Sequence, residues 1–271
     1  LERDGSPLQG VDPRPAARWL DRLGARLVLT IPPAAILALN ALRVQNCDPL
    51  AGAVFWLVIP VVSVCVGHAL VFSLAALTGS GRRAWRLGLV VLFLDLVWFG
   101  IRLVIEPPIT GVSVLFGYFA GSIYDEALSV PAPLLWYRLL LVCLSLTAVS
   151  ALQVIAQHQV RRSRGPAVWS LVAFALATAT LTWKAESHGY WLDRDDIARE
   201  LGAEVQSEHF VLHYDPGALD AEEVDAMIRD HEFRYAELHA FFDEDPAESA
   251  GRKLGVYVYP DRSTQHRLFG S

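Results

Sequence analysis

Charge is what this chain has least of. Asp, Glu, Lys and Arg make up 19% of its 271 residues, against roughly 25% in an ordinary soluble domain. Cysteine is scarce as well, with three residues, and no two of them have metal-ligand spacing. Three thiols build no disulfide framework. Cys65 and Cys143 lie in apolar runs; Cys47 lies in a connection, where an unpaired thiol or a link between subunits both stay open. A basic face is missing, since acids outnumber bases 29 to 23, and this excludes a nucleic-acid partner. No internal repeat of the transporter kind is visible. No cleavable signal peptide is visible either: the basic N-terminal stretch leads into an apolar segment that stays. With 53% hydrophobic residues, disordered and collagen-like chains are excluded.

What charge there is falls unevenly. Residues 184–271 carry 9 basic and 20 acidic groups, whereas the 157 positions of 27–183 carry 9 and 5. One soluble globule does not divide that way. The pattern predicts an α-helical multi-pass membrane bundle of about five spans, followed by an acidic α/β region. The predicted spans are 27–42, 51–77, 87–105, 133–157 and 167–183, each near the ~20 apolar residues that a bilayer core requires. The first contains Pro32-Pro33 and reaches sufficient length if its helix begins near Trp19, with Arg22 and Arg26 snorkelling. The prolines should kink it. Segment 111–121 is apolar but short and reads as re-entrant or interfacial; counting it as a span gives six crossings.

Arginines set the orientation. Arg14, Arg18, Arg22 and Arg26 precede the first span, Arg82, Arg83 and Arg86 follow the second, and Arg161, Arg162 and Arg164 precede the last. Alternate connections hold Arg43 with Asp48, and Glu106, Asp125 and Glu126. By the positive-inside rule, 1–26 is a cytoplasmic segment, 27–183 the bundle, and 184–206 a juxtamembrane segment outside. The expected site is a bacterial inner membrane, with the C-terminal domain periplasmic or extracellular and the lipid bilayer as first partner. Oligomeric state is not legible.

Ionisable groups at membrane depth are candidate functional residues. His68 and Asp95 lie on consecutive spans at depths that differ by roughly 3 Å, and are expected to meet. Such a pair serves either as a proton relay or ion site, or as a pin between two helices. Arg102 and Arg138, near outer helix ends, are expected to snorkel. Tyr124, Asp125 and Glu126 form a second candidate, an outer-loop polar site for a cation or partner, or else a solvated loop.

Beyond the last span, 193–208 reads as a charged helix. Residues 209–214 alternate as a strand ended by Asp215-Pro216-Gly217. Asp220 with Glu223 forms a capping box for a helix whose apolar positions are Val224, Met227, Ile228, Tyr235, Leu238 and Phe242. Residues 254–259 form a second strand, and Asp261 starts another helix. The two strands should pair, with the helix packed across them through one continuous stripe.

The run EHFVLHYDP, the helix with FRYAELHAFF, and KLGVYVYPDRSTQHRLFG resemble the opening subdomain of the gluzincin (peptidase MA-like) zinc metallopeptidases, over 207–271. The resemblance implies a membrane anchor fused to the non-catalytic front of a peptidase domain, with zinc and a peptide or protein substrate belonging to a longer parent. No His-Glu-x-x-His occurs here, so no catalytic, cofactor-binding or metal residue carries over, and these residues alone are expected to be inactive. His231-Glu232-Phe233-Arg234-Tyr235 has Tyr where zinc needs the second His. His209 and His213, four apart on a strand, stand roughly 13 Å from each other and cannot share one ion. The chain starts at Leu1 and stops at Ser271 in what reads as mid-domain, so 207–271 is expected to be incomplete, with apolar surface exposed near Phe210, Tyr257 or Phe269. The alternatives are a non-catalytic membrane protein with a binding or sensing module, and an ion-coupled transporter centred on Asp95 and His68.

Overall fold

Pro32-Pro33 and Pro60 each coincide with a local departure from the α-helix, whereas Pro133 and Pro166 fall in the first turns of regular helices. The computed structural model of the chain describes residues 15–41, 43, 48–105, 111–115, 117–119, 130–159, 165–242 and 253–269. Helix α1 (Pro15–Leu27) passes through a 3-10 turn at Val28–Thr30 into α2 (Ile31–Ala41). Pro32 and Pro33 thereby sit in the first turn of α2, where the missing N–H groups have no intrahelical partner to lose. The Thr30 hydroxyl donates to Leu27 O at 2.7 Å and closes the turn. The kink expected at Pro32-Pro33 thus takes the form of a tightened turn. Helix α3 (Pro49–Trp56) continues through a π-helical turn, Leu57–Val61, into α4 (Val62–Thr78). Pro60 lies inside that turn, whose wider winding accommodates a residue with no N–H and a bulky ring.

Helix α5 (Gly81–Ile105) is followed by a two-stranded antiparallel hairpin, β1 (Gly111–Ser113) and β2 (Gly117–Phe119), then by α6 (Ala132–Gln159) and α7 (Gly165–Trp183). Among the described residues, five helices are long and apolar enough to cross a membrane: Pro15–Ala41, Pro49–Thr78, Gly81–Arg102, Ala132–Gln159 and Gly165–Trp183. The segment read as re-entrant is the hairpin, outside those five. Leu37, Leu94, Trp98 and Leu176 are all exposed on the helix surfaces. Water does not tolerate so much contiguous apolar area, whereas hydrocarbon does, so the chain has the build of an integral membrane protein.

Two clusters hold the helices together. Trp19 and Leu23 of α1 pack on Ala69 of α4 and Val149 of α6. Gln153 Oε1 accepts the Ala16 N–H at 3.0 Å, satisfying one orphan donor at the start of α1. Leu140 and Cys143 of α6 pack on Leu181 of α7, Ala185 and Tyr190. A Thr147–Thr178 hydroxyl pair at 3.3 Å joins α6 to α7. The chain divides into two units, Leu1–Trp191 and Leu192–Ser271.

The second unit is a small α/β module. Helix α8 (Arg194–Leu201) opens with a reciprocal capping box between Asp193 and Asp196 and closes at Gly202, whose φ of 85° is left-handed. Strand β3 (Ala203–Gln206) follows, so the helix predicted through 208 stops short, and AEVQ pairs instead with β4 (Phe210–Tyr214), antiparallel. Helix α9 (Ala221–Phe242) leads to β5 (Leu254–Val258), parallel to β4 in the register Leu212 to Val256. Helix α10 (Arg262–Phe269) ends the module, with Arg267 ion-paired to Glu200 of α8. The sheet order is β3-β4-β5. The predicted stripe on α9 is only partly buried. Val224 and Tyr235 are covered, but Leu238 and Phe242 are exposed, together with Phe233 and Phe241. Exposed apolar surface therefore lies on α9, while Phe210 and Tyr257 are half-buried.

Candidate functional site

Two of the polar groups at membrane depth, Asp95 and Arg138, meet at the hairpin between α5 and α6. Asp95 projects from α5, and its Oδ2 accepts the Ser113 hydroxyl at 2.7 Å and the Leu115 N–H at 3.2 Å. Arg138 comes from α6, and its Nη1 donates to Val114 O and to the Ser63 hydroxyl of α4, both at 3.2 Å. An acid and a base thus grip three successive residues of one turn from opposite helices, within electrostatic range of each other. Gly117 completes the fit with a φ of 111°; a Cβ there would lie 2.7 Å from Ile59 Cγ2 and 3.4 Å from Arg138 Nη2. Ile59 belongs to the π-helical turn, so the turn around Pro60, the hairpin and Arg138 form one packed assembly.

Arg138 is 2% exposed, which corrects the snorkelling expected of it. Its helical neighbours explain why: Leu134, Leu141 and Ser145 are also buried, at offsets of four, three and seven, so Arg138 lies on the inward stripe of α6. That spacing is readable in the sequence. Proximity to a helix end points to the wrong face.

His68 and Asp95, expected to meet, form no ion pair among the described residues. His68 Nε2 contacts Trp19 O at 3.2 Å, and its ring stacks on the Trp19 indole at 5.9 Å between centroids. The predicted depth match compares two helices only; α1 supplies the partner for His68 and the hairpin supplies those of Asp95. Tyr124, Asp125 and Glu126 lie outside the described residues, as does Cys47.

In the α/β module the polar groups of α9 serve the sheet. Glu232 accepts the His209 N–H at 2.9 Å and faces His209 Nδ1 at 2.7 Å. Burial opposes ionisation of Glu232, but the His209 N–H, the Ser207 hydroxyl and the His209 ring outweigh it and lower its pKa to about 2. The Tyr235 ring stacks on His209 at 4.2 Å, and Phe210 meets both His231 and Tyr235 edge-on. His231 Nδ1 bonds Met227 O at 2.7 Å. The His-Glu-x-x-Tyr sequence therefore locks α9 onto the start of β4. Among the described residues no three His, Cys, Asp or Glu side chains are grouped to hold a metal ion.

No family model, curated protein or solved structure matches this chain.

Proposed function

We propose that the protein is a membrane anchor displaying an acidic α/β module outside the cytoplasm, and that this module is the non-catalytic front of a zinc metallopeptidase domain acting on peptides or proteins. The observation that supports the peptidase part is the order of the module: a strand, a long helix and a second strand lying parallel beside the first over 210–258. The resemblance rests on the residues of these same three elements. The residues of the module do not fit a zinc site themselves. Glu232 is committed to His209, and Tyr235 stands where a second imidazole would be needed. On this reading the metal belongs to a His-Glu-x-x-His helix that these residues do not supply.

The arginine distribution supports the orientation. Reporter fusions at Gly165 and Gly202 should report opposite compartments; the same compartment for both would sink the five-span arrangement. For the peptidase part, the protein as isolated from its native membranes should carry stoichiometric zinc by atomic emission, and the 271-residue chain should carry none. Native protein free of zinc removes the peptidase reading. The exposed Phe233, Leu238, Phe241 and Phe242 on α9 favour a second reading, a binding or sensing module, which that outcome would leave in place.

A further inference from the structure

One face of α1 is too polar for the place it occupies. Trp19 and Leu23 pack on Ala69 and Val149, which lie nine and ten residues, roughly 14–15 Å, from the Thr78 end of α4 and the Gln159 end of α6. Asp21 and Arg22 share that level, and Arg26 lies about 5.4 Å further in. With one turn of α6 standing clear of the ~30 Å hydrocarbon core, Arg26 is roughly 15 Å inside it, too deep to snorkel out. Charges at such depth are normally paired or turned inward. Yet Asp21, Arg22 and Arg26 are all exposed, and none of their side chains has an ion-pair or hydrogen-bond partner among the described residues. Asp21 stands two residues from both Trp19 and Leu23, so it points directly away from the buried side of the helix. Ala17, Gly24 and Ala25 share its face at offsets of four, three and four, all exposed. A Cβ added at Gly24 would meet nothing within 4 Å. Small residues around a polar group let a second helix approach closely. The face also carries its own complement, an acid at its centre and two bases along one flank. An anionic lipid headgroup would answer the arginines but repel Asp21, and it would not follow Arg26 into the core. A second copy of the chain, set at the same depth, answers all three.

We infer that the face of α1 bearing Ala17, Asp21, Gly24 and Ala25 is a self-association surface, on which two copies of the chain pack α1 against α1 in parallel, with Asp21 of each held by Arg22 and Arg26 of the other. The test is energy transfer between donor-labelled and acceptor-labelled full chains in lipid vesicles, followed as added lipid dilutes the protein. Wild type should show a monomer–dimer equilibrium. Asp21→Arg makes the face wholly basic, and Arg22→Asp with Arg26→Asp makes it wholly acidic. Each variant alone should associate about tenfold more weakly, because the contacts on both sides of the symmetric pair are lost together. Mixed one to one, the basic and acidic variants should associate again. A leucine at 24 begins in open space within its own chain, so Gly24→Leu should leave the monomer intact and weaken association, also by about tenfold. That variant decides the matter if the charge variants fail to insert. The inference is overturned if wild type stays monomeric at every dilution, if Gly24→Leu associates like wild type, or if inserted charge variants do not recover on mixing. Monomeric wild type that retains phosphatidylglycerol in native mass spectrometry, and loses it on Arg22→Gln with Arg26→Gln, would overturn it in favour of an anionic lipid.

Discussion

Replacing Glu232 by Gln removes the charge that grips His209 at both its backbone N–H and its ring. The expected cost is about 1.5–3 kcal/mol, the range for hydrogen bonds to a charged group. The pH dependence has a definite sign. The folded carboxyl titrates at about 2, below its usual 4.5, so its contribution is fully present above 4.5 and is lost as pH falls towards 2. Measured against the intrinsic exchange rate at each pH, protection over 203–235 should fall across that window in the wild type, and the variant should show a weaker dependence; identical profiles would remove Glu232 from the account. Gly117→Ala should cost about 1–3 kcal/mol through backbone strain, with the Ile59 contact adding to it, read as a lower thermal midpoint in detergent. Residues such as His231 and Tyr235 are legible as packing groups because their type fails the metal test. The partners of Asp95 are not legible, since Ser113 and the Leu115 N–H belong to a turn inside an apolar segment with no periodicity to betray it.

Apolar length and turn chemistry make most elements readable: the five apolar helices and the strands around 210–214 and 254–258 lie where runs and alternation indicate. Strand β3 escapes that reading because charge in 193–208 masks the stop at Gly202, where the left-handed backbone ends α8 and leaves AEVQ to alternate. Gly202→Ala tests that stop. With nothing within 4 Å of the added Cβ, only the backbone conformation is penalised, at about 1–2 kcal/mol. Gly202→Asn should be milder, because asparagine tolerates the left-handed region better. Equal losses for the two variants would mean that α8 is held by something other than its cap. At the other end of α8, Asp193→Ala should cost about 0.5–2 kcal/mol by leaving the Asp196 N–H uncapped, measurable as faster exchange of the first-turn amides.

For the molecule as a whole, exposed leucines and tryptophans along the long helices demand lipid. Alkaline carbonate washing should leave the protein in the membrane pellet, and its release into the supernatant would contradict a spanning bundle. The division of charge between 27–183 and 184–271 makes this two-part organisation legible in the amino-acid sequence, whereas the joining of helices through a hairpin depends on contacts that no local pattern encodes. The gripped hairpin also bears on how the chain is made. Asp95 is synthesised ahead of both groups that neutralise its need for hydrogen bonds, which follow 18 and 20 residues later. In a chain that ends before the hairpin, α5 carries a bare aspartate, a burden of about 2.5–3.5 kcal/mol on insertion at the centre of a span. Helix α5 is therefore a reluctant guest in the bilayer until Ser113 and Leu115 emerge. A chain truncated at Ile105 and released should integrate less completely than one truncated after Phe119, so the turn that completes this helix has to reach the bilayer along with it.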